Sequence, residues 1–301
     1  VGLPVTQYYR TAVYFILVLI LSCLWGQVSP GLALAARSTD LRIYPESPRQ
    51  GQTLVVTLAT PDGLAPPAVT FEDKVYKFYP LPSAANGSLL YRALVGIPVL
   101  MPVGQHKLVV GDKEEMVQVQ PGGFGVQSIR LPKEKDNFIA SPGEEEAVNK
   151  AKSQASAEQL WTGVFHAPCK ARTSTQFGLR RRVNGRLLPD YFHSGLDYAG
   201  AMGAPVVACQ RGRVILAHTG WRLHGNIVAL DHGQGVVTFY LHLSKILVKQ
   251  GDVVDAGQVI GHVGATGRAS GPHLHFSLYV NSEASNPADW FSPSMAAFRS
   301  N

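Results

Sequence analysis

Cysteine and charge are both scarce. Three cysteines in 301 residues are too few for a disulfide-built miniprotein and cannot make a Cys-only zinc scaffold. Charged residues make up 16% of the chain against 46% hydrophobic ones. That balance is too apolar for a disordered chain and ample for a real core. The net charge of +6 is modest; an anionic partner is compatible with it, but nucleic acid is not demanded. No recognition motif or aromatic-basic strand pattern is present, so no nucleic-acid partner is expected. There is no GxxxxGK(S/T), and Gly261, Gly264 and Gly267 miss the GxGxxG spacing, so nucleotide binding has no support. What the chain has instead is glycine (30) and proline (20), about a sixth of its residues, and ten histidines. The length suggests about two domains.

Charge is absent altogether between Arg10 and Arg37. Inside that gap Ala12 to Leu21 reads AVYFILVLIL. The run is short for a spanning helix, which needs about 20 apolar residues, and suits the apolar region of an export signal. Ala33-Leu34-Ala35 is an A-x-A site, and cleavage after Ala35 is expected. Two alternatives stand beside it. The segment could be retained as a membrane anchor extending through Leu24 and Trp25. Alternatively, Ile20-Leu21-Ser22-Cys23 loosely resembles a lipobox, with lipidation at Cys23. The expected location is the periplasm or cell envelope, with membrane contact only through residues 1–35 if they are not removed.

Residues 38–120 read as short strands with turn punctuation. Gln52 to Thr60 alternates, Val69 to Tyr79 continues the pattern, and Leu89 to Val95 and Lys107 to Val110 follow. Pro-Asp-Gly at 61–63 and Asn86-Gly87 mark turns. This spacing suggests an antiparallel β-sandwich of immunoglobulin-like type. The lone His106 carries no ligand role. Residues 121–160 read as a connector. Ser141-Pro142-Gly143-Glu144 predicts a capping box, and Glu144 to Gln159 a polar, solvated spacer helix. Residues 161–292 are rich in glycine and β-branched side chains and read as strands, with 293–301 as a tail. The mainly β character covers both halves. Gly251 to Val254 and Gly257 to Gly261 predict two short strands about a tight turn. Biotinyl and lipoyl carriers use such turns, but theirs needs a lysine at the tip, and Asp255-Ala256-Gly257 has none.

The chemistry lies in three separated segments. In His273-Leu274-His275, strand alternation puts both imidazoles on one face. In His193-Ser194-Gly195-Leu196-Asp197, a turn around glycine can bring an imidazole and a carboxylate together. In Tyr240-Leu241-His242-Leu243-Ser244, alternation turns His242 away from the leucines. Each signal is weak alone. Jointly they supply three potential ligands, His193, Asp197 and His275, with His242 and His273 to spare. Three protein ligands plus water describe an open, catalytic zinc site. Two extra imidazoles can take the water proton and donate to an oxyanion.

These segments resemble the LytM/lysostaphin-type, or β-lytic, zinc metallopeptidases. The resemblance covers about 130 residues. It runs through Ser174-Thr175-Gln176-Phe177-Gly178 with Arg180 to Arg182, the three segments above, Gly251-Asp252-Val253-Val254, and Thr266 to Phe276. It implies a β-rich, groove-bearing fold with a duplicated hybrid motif, one Zn2+ per catalytic domain, and endopeptidase activity on peptidoglycan peptide stems. It also implies roles: His193, Asp197 and His275 as zinc ligands, His242 and His273 as the catalytic pair that aligns a zinc-bound water for attack on the scissile amide. The alternative is a non-enzymatic regulator that binds and activates a cell-wall amidase or meets a divisome partner. The intact five-residue set argues for the enzyme. No wall-targeting domain is expected after the catalytic part, which favours wall remodelling over a secreted bacteriocin.

The remaining candidates carry two readings each. Cys169 and Cys209 could pair as a disulfide or stay as buried thiols. Arg180, Arg181 and Arg182 could bind stem carboxylates or form a solvated basic turn. His166, His218, His224, His232 and His262 are expected to be structural or exposed, with His224 on a loop that could border the groove.

Overall fold

The computed structural model describes residues 40–60, 64–81, 89–132 and 138–293. The expected export segment at 1–35 with its cleavage site and Cys23, the turns at 61–63 and 86–87, and residues 294–301 of the expected tail lie outside the described residues. No described helix is long and apolar enough to cross a membrane.

Alternating side chains build eight strands in the N-terminal half: β1 (Asp40–Tyr44), β2 (Thr53–Thr60), β3 (Val69–Phe71), β4 (Lys74–Tyr76), β5 (Tyr79–Pro80), β6 (Leu89–Gly96), β7 (Gly104–Val110) and β8 (Lys113–Val119). They form two antiparallel sheets, ordered β1-β2-β6-β5 and β4-β3-β7-β8. Leu54, Val56 and Leu58 of β2 and Ala93 and Val95 of β6 share one core with Val69, Phe71, Leu108, Val110, Val117 and Val119 of the other sheet. The spacing of two along each strand is the pleat periodicity. The expected strand over 69–79 is broken into three, because Glu72 adopts φ 50° and turns β3 into β4. β8 escapes sequence reading because it begins Lys-Glu-Glu, with only its second half buried.

β2 is buried on both faces. Val55 and Leu94 belong instead to a second core with Val148, Trp161, Phe177 and the main sheet of the C-terminal half. Thr53 Oγ1 and Ser285 Oγ share a 2.8 Å hydrogen bond, and Asn281 Nδ2 donates to the Leu94 carbonyl at 2.7 Å. Arg92 of β6 is fully buried; it donates to Gln159 and Gln234 at 2.8 and 2.5 Å and lies over the Trp161 ring. These contacts join the two halves within one compact unit, Ser38–Asn301.

The connector is a working part of the C-terminal half. β9 (Val126–Ile129) pairs parallel with β11 (Arg180–Val183), which pairs with β12 (Arg186–Phe192). The expected helix over 144–159 is real only as α1 (Glu144–Lys152). It is docked rather than solvated: Glu144, Val148 and Ala151 are buried at i, i+4 and i+7, one face of a helix. The chain leaves the helix after Lys152, and the Leu160 amide then bonds the His232 carbonyl. The capping box is half formed. Glu144 Oε2 accepts the Ser141 amide at 2.7 Å, but the N-cap is Gly143 at φ 75° and no side chain caps the helix.

The main sheet contains β10 (Thr173–Thr175), β13 (Gly195–Tyr198), β15 (Gly212–Trp221), β16 (Gly225–Gly233), β17 (Val236–Leu241), β19 (Val253–Val254), β21 (Leu274–Val280) and β22 (Glu283–Ser285). Its path is β10-β13-β21-β17-β16-β15-β19, with β22 paired to β21. A smaller sheet orders β14 (Pro205–Val207), β20 (Val259–His262) and β18 (Lys245–Ile246), and α2 (Pro287–Trp290) closes the described chain. The two strands expected around the 255–258 turn exist, but they do not pair with each other. β19 joins β15 and β20 joins β14 and β18. The turn therefore hands the chain from one sheet to another, unlike a carrier-domain hairpin.

His232 is completely buried, its Nδ1 2.7 Å from the Arg211 carbonyl and its Nε2 2.8 Å from Thr238 Oγ1. Burial pushes its imidazole down to about 4, whereas an unfolded histidine titrates near 6.5. Between those values the unfolded chain binds the proton and the folded chain does not, so stability is lost as pH falls. Thermal unfolding of chelator-treated protein should show stability dropping from pH 6.5 toward 4, by on the order of 3 kcal/mol from this group. A flat profile over that window would contradict a buried neutral His232.

Candidate metal centre

β13 and β21 run antiparallel with Asp197 directly opposite His275. That register, set by two adjoining strands, brings together a carboxylate and an imidazole 78 residues apart. His193 enters from the segment between β12 and β13; its amide bonds the Leu179 carbonyl. Gly195 allows the close approach. A Cβ there would lie 2.2 Å from the Phe276 carbonyl oxygen and 3.0 Å from His275 Nε2. His193 Nε2, Asp197 Oδ1 and His275 Nδ1 form a triangle with all three edges at 2.9 Å. All three residues are buried.

Backbone carbonyls orient the imidazoles. His193 Nδ1 lies 2.8 Å from the Gln176 carbonyl. A carbonyl only accepts, so Nδ1 carries a proton, and Nε2 is the ring atom that faces the triangle. Burial pushes the His275 imidazole down to about 4, so it is neutral at pH 7. Burial also pushes the Asp197 carboxyl up, but the His193 and His275 imidazoles outweigh this and hold it well below the usual carboxylate range. The result is a carboxylate oxygen facing imidazole nitrogens in a buried space, an arrangement suited to a cation. Two nitrogens and one oxygen are also a donor set that zinc accepts.

His242 and His273 stand beside the triangle, ring centroids 4.9 Å apart. Their Nδ1 atoms lie 2.8 Å from the Thr266 carbonyl and 2.9 Å from the Gly271 carbonyl. Both Nδ1–H groups are thus committed to the backbone, and the Nε2 atoms are left for chemistry. His273 Nε2 is 3.9 Å from Asp197 Oδ1. Burial, with His273 and His275 adding to it, pushes the His242 imidazole well below its ordinary value. Strand alternation does not place His242. β17 ends at Leu241, and His242 sits at φ 63° with its amide bonded to the His224 carbonyl at 3.1 Å.

Residues 191–287 match the model of Peptidase family M23. The chain carries an M23 peptidase domain. Among curated relatives, the peptidoglycan DD-endopeptidase ShyB of Vibrio cholerae is 46% identical over 101 residues, 33% of this chain and 22% of that one. An uncharacterized metalloprotease of Haemophilus influenzae is 33% identical over 188 residues, 61% of this chain and 38% of that one. The chain thus spans well under half the length of these relatives. A crystal structure from Pseudomonas aeruginosa assigned to peptidase M23 superposes with a TM-score of 0.60 at 29% identity, over 82% of this chain and 95% of that one.

Other sequence candidates fall around the M23 domain differently. Arg180, Arg181 and Arg182 lie on strand β11, not in a turn. Arg181 is buried, bonded to Gln127 and 3.7 Å from Asp197 Oδ2, so it braces the carboxylate and offers nothing to a ligand outside. Cys169 and Cys209 are free and buried, and burial pushes the Cys209 thiol up to about 12. His218 stacks on Trp221 at 4.1 Å. Two features had no clear sequence signal: the Gln176, Thr266 and Gly271 carbonyls that set tautomers, and Glu144, whose carboxylate lies 2.7 Å from His224 Nδ1.

Replacing Gly195 with alanine should push β13 off β21 and open the triangle. Metal affinity, followed by titration with zinc, is expected to fall about 10- to 100-fold, as for other changes that misorient ligands. Unaltered affinity would mean that the close strand approach does not hold the donors.

Proposed function

We propose that this chain is an exported zinc endopeptidase that hydrolyses peptide cross-links of bacterial peptidoglycan. The observation that carries the reading is the 2.9 Å triangle of His193, Asp197 and His275, flanked by two imidazoles whose Nδ1 atoms are tied to carbonyls. The M23 match and the DD-endopeptidase relatives support the substrate class. In this reading residues 38–120 are an immunoglobulin-like sandwich, 121–160 the connector and 161–292 the peptidase domain, which carries the duplicated hybrid motif. Residues 1–35 direct the chain to the periplasm or envelope.

Bound by His193, Asp197 and His275, zinc would supply Lewis acidity and lower the pKa of a coordinated water toward about 7. The chain's own residues do the rest. His242, held neutral by burial, has its Nε2 free to accept a proton while its Nδ1–H stays on Thr266. His242 can then return that proton from Nε2 to the leaving amine, while His273, with Nδ1 on Gly271, presents an Nε2 that in the protonated ring would donate to the developing oxyanion. Asp197 keeps its charge beside Arg181, 3.7 Å from its Oδ2. No specific observation favours the non-enzymatic regulator: all five side chains of the set are present and face one another.

Digestion of purified sacculi tests the proposal. New free amino groups should be released, and a chelator should abolish release. Absence of release by the zinc-loaded protein would favour the regulator. His275→Ala should lose metal. His242→Ala should keep it and lose about 10²- to 10⁴-fold in turnover, the usual range for a positioned proton acceptor. Near-normal turnover by His242→Ala would remove that residue from the mechanism.

A further inference from the structure

Glu144 is the first residue of α1, yet its side chain has left the helix axis and is fully buried. Its Oε1 accepts from the Leu223 amide at 3.0 Å, the His224 amide at 2.8 Å and His224 Nδ1 at 2.7 Å, and its Oε2 from the Ser141 amide at 2.7 Å. The neighbouring Arg222 amide donates to Ser141 Oγ at 2.9 Å. Three successive amides of the β15–β16 turn therefore converge on two connector residues. This is an anion cradle of the kind that backbone nests form, filled by the chain's own carboxylate. Burial raises the cost of that charge, but the donors of His224 and Ser141 hold the group below the ordinary carboxylate range.

The cradled turn leads directly to His242. The His224 carbonyl accepts the His242 amide, at a residue held in the left-handed region. The His242 imidazole is held by the Thr266 carbonyl, and the Thr266 loop is braced on the same turn. Arg268 donates its amide to the Leu223 carbonyl at 2.9 Å, and the Asn226 amide donates to Thr266 Oγ1 at 2.9 Å. Asn226 Nδ2 also donates to the Leu243 carbonyl at 2.8 Å. Both handles on His242, backbone and ring, thus run to the segment that Glu144 holds.

We propose that Glu144, outside the matched residues 191–287, is a positioning residue for His242, acting through the Arg222–Asn226 segment. The proposal rests on the reading of His242 as the proton acceptor. It gives the connector a part in catalysis: without it the M23 domain would contain His242 but not the group that aims it. A misplacement near 1 Å at a reacting group can cost about 10²-fold in rate, so the effect belongs in kcat rather than in substrate or metal binding.

The test uses the full chain, with zinc content, kcat, KM and amide exchange at His242 measured for each protein. Glu144→Ala should lower kcat about 10- to 100-fold, leave KM within about threefold and zinc content unchanged, and speed exchange of the His242 amide. Glu144→Gln, which keeps an acceptor for the turn, should recover a large part of kcat. His224→Ala keeps the backbone link and should be milder than Glu144→Ala. A kcat and an exchange rate both within about twofold of the parent overturn the proposal. So does a loss that tracks zinc content or appears only in KM, or His224→Ala as severe as Glu144→Ala. If Glu144→Ala does not fold, Glu144→Asp takes its place with the same outcomes for and against, since it keeps the charge but is one methylene short. An inactive parent protein would sink the hydrolase reading, and the exchange measurement would still decide the positioning of His242.

Discussion

One buried carboxylate oxygen organises the centre of this molecule. Asp197 Oδ1 has an imidazole nitrogen 2.9 Å away on each of two sides, and those two nitrogens are 2.9 Å from each other. Three electron-rich atoms at such separations, shielded from water, are stable together only with positive charge among them, as protons or as a metal ion. Everything nearby is consistent with that demand. The second carboxylate oxygen faces buried Arg181, and the Gln176 carbonyl holds the His193 proton on the far side of the ring.

The scaffold meets this demand with backbone geometry more than with side chains. Cross-strand register puts Asp197 opposite His275, and a glycine lets the two strands close up. Carbonyls of Gln176, Thr266 and Gly271 select the tautomers of three histidines. Such groups are fixed in place by strands and turns, so they cost little further ordering when a ligand arrives. The Glu144 cradle extends the same device outward, with a carboxylate from the connector gathering the amides of a turn that in turn anchors His242.

The connector shows why part of the fold was not legible in the chain. Glu144 to Gln159 has the composition of a solvated helix, and local propensity supports one. Of that stretch only the nine residues of α1, Glu144–Lys152, are helical. The helix has a buried face, and the next segment is drawn off to contacts made by Arg92 and His232. Glu144 reads as an ordinary acidic residue at a helix start, where the dipole favours it. Its His224 partner is 80 residues away, so no local pattern could announce it. The same holds for Arg181, whose basic run suggested a solvated or ligand-binding surface while the strand turned it inward. His242 reads as an alternating strand residue, whereas it follows the end of β17 in the left-handed region, so alternation does not set where its ring goes.

The amino-acid sequence by itself determined the strand-rich character of both halves, the period of two in the buried residues of the N-terminal strands, and the identity of the five polar side chains around the centre. Those are legible because period and residue type are local properties. Tertiary structure alone decided the 2.9 Å distances, the tautomers, the free state of Cys169 and Cys209, and the reach of Glu144 into the turn before β16. These depend on which strands become neighbours and how closely they approach, and that is set by packing across the whole sheet.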